Sequence, residues 1–297
     1  MSATPPSASR PMSGAALAMG GWAVFSLQDA IVKTLVVDLP VPEVLFARSL
    51  VIVAIAGLLA KRADFAAMAR PRNAAAIALR SLVIFVAWLA YYRASRSLQL
   101  AEMVTFYFAA PLFVVAMSGP LLHEAVGAGR WLATIVGFGG VLVAANPTAA
   151  ADLTPALLAL LAALSWALAT LLARSLTREI STATMMLGSN LFFAVACGAV
   201  APALFVRPGA RGLALMAAVG CVGSLGQFLW FEGVRRAQAS LLAPLEYTML
   251  AYAIFWGWLI FGDLPGARTL LGAAIILSSG LATLLIEARR RRIAPRG

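Results

Sequence analysis

The sequence predicts an all-α, polytopic membrane protein of ten transmembrane helices, arranged as two five-helix repeats of opposite orientation. Three observations carry that prediction: the composition, ten apolar runs of spanning length, and a weak likeness between the two halves. Of 297 residues, 62% are hydrophobic and only 12% charged, and the mean hydropathy is +0.91. A soluble domain carries roughly 25% charged residues and about 45–50% apolar ones. This composition cannot furnish a surface that faces water.

The apolar runs lie at 12–35, 40–60, 74–95, 101–122, 131–146, 155–174, 181–205, 213–236, 241–261 and 267–286. Each approaches the ~20 residues that cross ~30 Å of hydrocarbon, the fifth being the shortest. Little chain remains for an extramembrane domain. The first run is too long for a signal peptide and holds Gln28, Asp29 and Lys33, so it is read as a span.

Arginine supplies 21 of the 23 basic residues, mostly at the ends of runs. With the N-terminus inside, 15 basic residues face the cytoplasm and 5 face outward, while Lys33, Arg48 and Arg80 stay within spans. That bias predicts cytoplasmic tails at 1–11 and 287–297. The +11 net charge is thus a matter of topology and membrane lipid, and no nucleic-acid partner is implied. Arg289 to Arg292 form either a stop-transfer anchor or a site for anionic lipid.

One histidine, His123, excludes multi-histidine metal sites and leaves little for a His-based triad. Cys197 and Cys221 fall inside apolar runs and read as packing residues. The chain holds no HExxH, DDxxD, GxSxG or P-loop motif. The sequence therefore argues against an enzyme, calls for no cofactor or metal, and provides no ATP drive of its own, nor any sign of an ATPase subunit.

A shift of about 140 residues aligns the halves. Phe25 to Lys33 then meets Trp166 to Arg174, Phe46 to Leu50 meets Leu187 to Leu191, Ala101 meets Ala239, Glu124 meets Asp263, and Gly140 meets Gly280. Each half holds five spans, an odd number, so the second copy enters the membrane from the opposite side. Inverted repeats of this kind supply two nearly equivalent arrangements, one open to each side, as transporters require.

On particular residues the chain resembles the drug/metabolite transporter superfamily, EamA type. They are Ala47-Arg48-Ser49, Tyr91-Tyr92-Arg93-Ala94, Pro111, and Glu124 with Trp131, Gly137 and Gly140. In the second half they are Pro244-Leu245-Glu246-Tyr247 and Gly262-Asp263-Leu264-Pro265, followed by Gly272 and Gly280. Within that family it is most similar to bacterial aromatic amino acid exporters. The resemblance implies two EamA repeats, 12–146 and 155–286, forming a ten-helix basket in the inner membrane. Its cavity would be lined by spans 1, 3, 4, 6, 8 and 9.

Helical spacing selects the candidate substrate contacts. Span 1 sets Trp22, Ser26, Asp29 and Lys33 on one face, with Gln28 adjacent. A charge inside a span costs roughly 2.5–3.5 kcal/mol on insertion scales and should face protein or water. Asp29 and Lys33 either neutralise each other as an i,i+4 pair or leave Asp29 to a substrate. Span 3 aligns Ser81, Phe85, Trp88, Tyr92 and Ser95, a stripe that reads as packing or as a cavity wall. Span 4 adds Tyr107 and Pro111, together with Glu102 at a mouth or at a helix N-terminus. Trp166 comes from span 6, Gln227 and Trp230 from span 8 behind the packing glycines Gly220 and Gly223, and Glu246 and Tyr247 from span 9. Glu232 reads as an ion pair with Arg235 and Arg236. Arg48 is either a structural tie or a carboxylate ligand. By depth, Tyr91, Tyr92, Glu102 and Tyr107 form an outer gate, and Trp230, Phe231, Glu246 and Tyr247 an inner one.

An aromatic cavity with few fixed charges, its polar groups confined to its two ends, suits export of aromatic and other apolar amino acids. The direction comes from the resemblance alone. A drug or small-metabolite efflux carrier would fit the same lining, whereas a nucleotide sugar would want a cluster of cations. A passive channel and an integral-membrane enzyme are distant alternatives.

Overall fold

Hydrocarbon offers the backbone no hydrogen-bond partners, so apolar runs of this length must satisfy their amides internally. The computed structural model describes residues 11–122, 128–145, 152–176, 180–236, 246 and 248–293, and among these no strand occurs. The helices are α1 (Pro11–Leu35), α2 (Val41–Leu59), α3 (Arg62–Ala69), α4 (Pro71–Ala94), α5 (Leu100–Tyr107), α6 (Ala110–Leu122) and α7 (Ala128–Ala145). After them come α8 (Thr154–Leu176), α9 (Thr182–Leu204), α10 (Ala210–Arg236), α11 (Thr248–Trp256) and α12 (Ala267–Ile293). Six are long and apolar enough to cross a membrane: α1, α2, α4, α8, α9 and α10. Shorter apolar helical stretches cover 100–114, 131–145, 248–261 and 267–282. The protein is a multi-pass, all-helical membrane protein.

Three local features depart from plain spans. The run 101–122 is broken in two, because Pro111 has no N–H to give the Tyr107 carbonyl and its ring crowds that turn. Phe108 N–H still reaches the Val104 carbonyl, Ala109 N–H takes a tighter bond to Phe106, and regular bonding resumes with Phe113 N–H to Ala109. In the ninth span, α11 widens into a π-helical turn, Gly257–Phe261. It stops at Gly262, whose φ of 68° favours glycine because a side chain there is strained. The tenth runs past residue 286 to Ile293, so the arginine-rich segment begins as helix.

Helix α3 is a short amphipathic piece that the span pattern passed over. Asp64 anchors it: one carboxylate oxygen accepts from Lys61 N–H at 2.8 Å, the other from the Ser181 hydroxyl and, at 3.2 Å, from Thr184. These bonds, Ser181's first, hold the Asp64 carboxyl below its ordinary range. Close by, Glu232 accepts from Thr182 at 2.9 Å and pairs with Arg236 at 2.8 Å, which realises the ion pair read from the sequence. This end of the bundle therefore joins α3, the start of α9 and the end of α10.

The principal pairs are α1 with α10, α2 with α9, α4 with α8, and α7 with α12. Small residues set their closeness. Along the antiparallel α1–α10 pair, Gly233 lies against Ala18, Gly226 against Phe25 and Gly223 against Gln28. Between α7 and α12, Gly140 and Gly272 bring backbone against backbone. Leu132, Ile135, Leu142, Leu157, Val195 and Leu225 face outward, while Gln28, Asp29, Arg48, Arg80 and Asn190 are buried. Apolar outside and polar inside is the distribution a lipid solvent favours.

Candidate functional site

Two chambers occupy the centre, one on each side of an aromatic partition. Phe25, Trp88 and Trp166 line both. The first chamber is completed by Trp22, Asp29, Ala87, Tyr91, Tyr107, Ala162 and Met249. The second, nearer the α3 end, is completed by Arg80, Ile84, Ser189, Asn190, Phe193, Gln227, Trp230 and Phe231. Their walls come from α1, α4, α5, α8, α9, α10 and α11.

The partition is built by ring contacts. Trp166 has its ring centre 5.6 Å from Trp230, 5.8 Å from Tyr107 and 6.5 Å from Trp22. Trp22 in turn lies 6.4 Å from Trp230 and 6.0 Å from Phe25. The rings are tilted or edge-on, the geometries their quadrupoles prefer. Gly21 lets the Trp230 backbone approach α1, for a Cβ there would sit 3.1 Å from the Trp230 nitrogen.

Asp29 is the acidic group of the first chamber. Tyr91 donates to its Oδ2 at 2.9 Å, and its other oxygen, though buried, has no hydrogen-bond partner. Asp29 does not pair with Lys33. Lys33 instead donates to the Ser95 and Leu98 carbonyls and stands 5.4 Å from the Phe261 ring centre. Of the two readings left open by spacing, the structure removes the i,i+4 pair.

Behind the chamber wall is a second layer. Arg48, fully buried, donates through Nε to Gln28 Oε1 at 3.2 Å and stacks 4.7 Å from the Trp88 ring centre. Gln28 donates to the Tyr92 hydroxyl at 3.3 Å. Both guanidinium Nη atoms lack partners. The layer fixes Trp88 from behind, and neither Gln28 nor Tyr92 lines a chamber.

The sequence candidates thus divide. Trp22, Asp29, Trp88, Tyr107 and Trp166 meet at the first chamber, and Gln227 and Trp230 at the second. Phe85 packs on Phe192 and Phe193 beside it, with ring centres 6.0 and 5.5 Å away. Ser26 is buried outside the lining, and Glu246 is half-buried outside it. Tyr247, with Pro244 and Glu124, lies outside the described residues. Glu102 accepts the Gln99 N–H at 2.9 Å, the helix-N-terminal role weighed for it. Spacing missed Arg80, Ser189 and Asn190. Only the tertiary packing of α4 against α9 brings them together.

The family model for the EamA-like transporter family matches residues 12–146 and again 153–285. A riboflavin transporter of Rhizobium johnstonii is 30% identical over 192 residues, 64% of each chain, just under two thirds of that relative's length. An S-adenosylmethionine uptake transporter of Rickettsia conorii is 28% identical over 70% of this chain and 71% of its own. A pseudopaline exporter of Pseudomonas aeruginosa is 27% identical over 91% of this chain and 95% of its own. One solved crystal structure, 18% identical, superposes with a TM-score of 0.62 over 94% of this chain and 97% of the other, a likeness of fold. With both halves matched by its model, the chain belongs to the EamA-like transporter family.

Proposed function

We propose that the protein exports amino acids with aromatic or other apolar side chains across a bacterial inner membrane by alternating access, with both termini cytoplasmic. The observation that carries this reading is the first chamber. Its walls are almost wholly aromatic and apolar, and its charged lining residue is Asp29, one of whose buried oxygens has no hydrogen-bond partner. A zwitterion with an apolar side chain fits such a surface, its ammonium on Asp29 and its side chain against Trp22, Trp88 and Trp166.

Two inverted five-helix repeats account for the pairing of helices. Exchanging the halves carries the α1–α10 contact onto α8–α4 and returns α2–α9 and α7–α12 to themselves. That is the pattern a two-fold axis in the membrane plane would leave, and it supports ten spans and rocking about a central site. The bias of arginine towards one face supports the orientation. In that orientation the bonds of Asp64, Thr182 and Glu232 lie at the cytoplasmic end and those of Lys33 at the outer one.

A second reading, a carrier for other small metabolites, is favoured by the relatives named for riboflavin and S-adenosylmethionine. Reconstituted protein separates the two. Flux of labelled phenylalanine is expected to saturate and to be competed by tryptophan and methionine, with riboflavin without effect. Competition by riboflavin alone would favour the metabolite reading.

A further inference from the structure

Arg80 sits nine residues into α4, about 14 Å along its axis at ~1.5 Å per residue. It is 5% exposed, so its side chain does not reach the membrane surface. Among the described residues no carboxylate pairs with it. Its Nη1 donates to Ser189 Oγ at 3.3 Å, its guanidinium lies 5.7 Å from the Phe231 ring centre, and its Nε has no partner. A buried cation without an ion pair is costly, and a bound anion would offset that cost; unlike Arg48, which stacks behind the wall, Arg80 lines a chamber where an anion could reach it.

The neighbours point the same way. Ser81 donates to Ser189 Oγ at 3.1 Å, so Ser189 accepts twice and keeps its own hydroxyl hydrogen for another group. Asn190, fully buried, donates to the Met186 carbonyl and to Gln227, and leaves Oδ1 without a partner. Arg80, Ser189 and Asn190 line the second chamber together with Trp88, so a cation, a hydroxyl with a spare hydrogen and an amide with a spare oxygen gather at one cavity. Among the described residues no hydrogen bond reaches Arg80 Nε or Asn190 Oδ1.

We propose that the second chamber is a carboxylate subsite, in which Arg80 and Ser189 bind a carboxylate of the substrate while Asn190 Oδ1 accepts from a donor on the same molecule. It rests on the reading that the central chambers carry substrate. It adds that the two stations on the path have opposite charge, Arg80 on the α3 side of the partition and Asp29 beyond it. A substrate with a carboxylate and a nearby donor is held at both stations. A ligand without the carboxylate is held at Asp29 alone.

The test uses the purified full-length protein and the fluorescence of its tryptophans, three of which line this chamber. The probes are 3-phenylpropionate, which has the carboxylate without an amine, phenethylamine, which has the amine without the carboxylate, and phenylalanine. Arg80→Gln is expected to weaken 3-phenylpropionate at least about tenfold, the scale of a lost charged hydrogen bond, and to leave phenethylamine unchanged. Arg80→Lys should recover part of the loss. Ser189→Ala, which keeps the guanidinium, should cost a smaller factor with the same selectivity. Retained phenethylamine binding reports that a variant has folded.

Equal loss of both probes in Arg80→Gln and in Ser189→Ala would overturn the proposal, as would 3-phenylpropionate binding that ignores both substitutions. A wild-type protein that binds phenethylamine but not 3-phenylpropionate, or neither, overturns it too. Carboxylate binding that depends on Arg80 in a protein that does not transport phenylalanine would keep the subsite and discard the amino-acid reading.

Discussion

Gly272→Val is expected to abolish the folded protein. A Cβ at Gly272 would stand 2.7 Å from the Gly140 carbonyl oxygen, 2.7 Å from Ala144 Cβ and 2.9 Å from the Ala144 nitrogen. Two of those atoms are backbone and cannot turn aside. The converse holds at Gly140, where a Cβ would meet the Gly272 carbonyl at 2.9 Å. Relief requires α7 and α12 to separate along their antiparallel crossing. Overpacking typically costs about 1–3 kcal/mol where side chains can rearrange, and rigid backbone leaves no such escape. The checks are yield of monodisperse protein and thermal unfolding in detergent. Gly139→Val is the control, because nothing lies within 4 Å of a Cβ at Gly139. Equal stability of the two variants would show that the α7–α12 crossing is not as close as described.

Asp29→Asn is expected to lower amino-acid flux by roughly 10–100-fold, the scale of a charged hydrogen bond lost at the site. The substituted amide oxygen can still accept from Tyr91, so α1 and α4 stay joined and folding should hold. What changes is the free position: an N–H donor replaces an unpartnered oxygen and opposes the substrate's ammonium. The binding profile should mirror that of Arg80→Gln, with phenethylamine weakened and 3-phenylpropionate retained. Flux at the level of the unaltered protein would reduce Asp29 to a tie between helices. Loss of both probes together would have the same meaning.

Composition and run length made the membrane class and the helices readable, because in lipid the backbone has so few alternatives. Periodicity made one face of each helix readable, hence Trp22 with Asp29 and Gln227 with Trp230. It did not distinguish a chamber wall from the layer behind it. Gln28 and Tyr92 carry the same polarity as the wall residues, yet Arg48 draws them into a hydrogen-bonded layer at the back of Trp88. Arg80 was hidden for another reason. A cation that far into α4 could snorkel towards the surface by length alone, and only the position of α9, with Ser189 facing it, turns it inward. Pro111 is a local cause for the break in the fourth span. The widening of the ninth at Gly257–Phe261 had no local signal beyond Gly262.

A saturable carrier of amino acids that alternates between two faces must show counterflow, in which liposomes bearing the protein are preloaded with unlabelled phenylalanine and diluted into a trace of labelled phenylalanine. A carrier that rocks about one central site should accumulate label transiently above the outside concentration, and Asp29→Asn should remove that overshoot. Label that only equilibrates, at a rate indifferent to the preloaded amino acid, would contradict the claim and leave a pore or a carrier of some other metabolite.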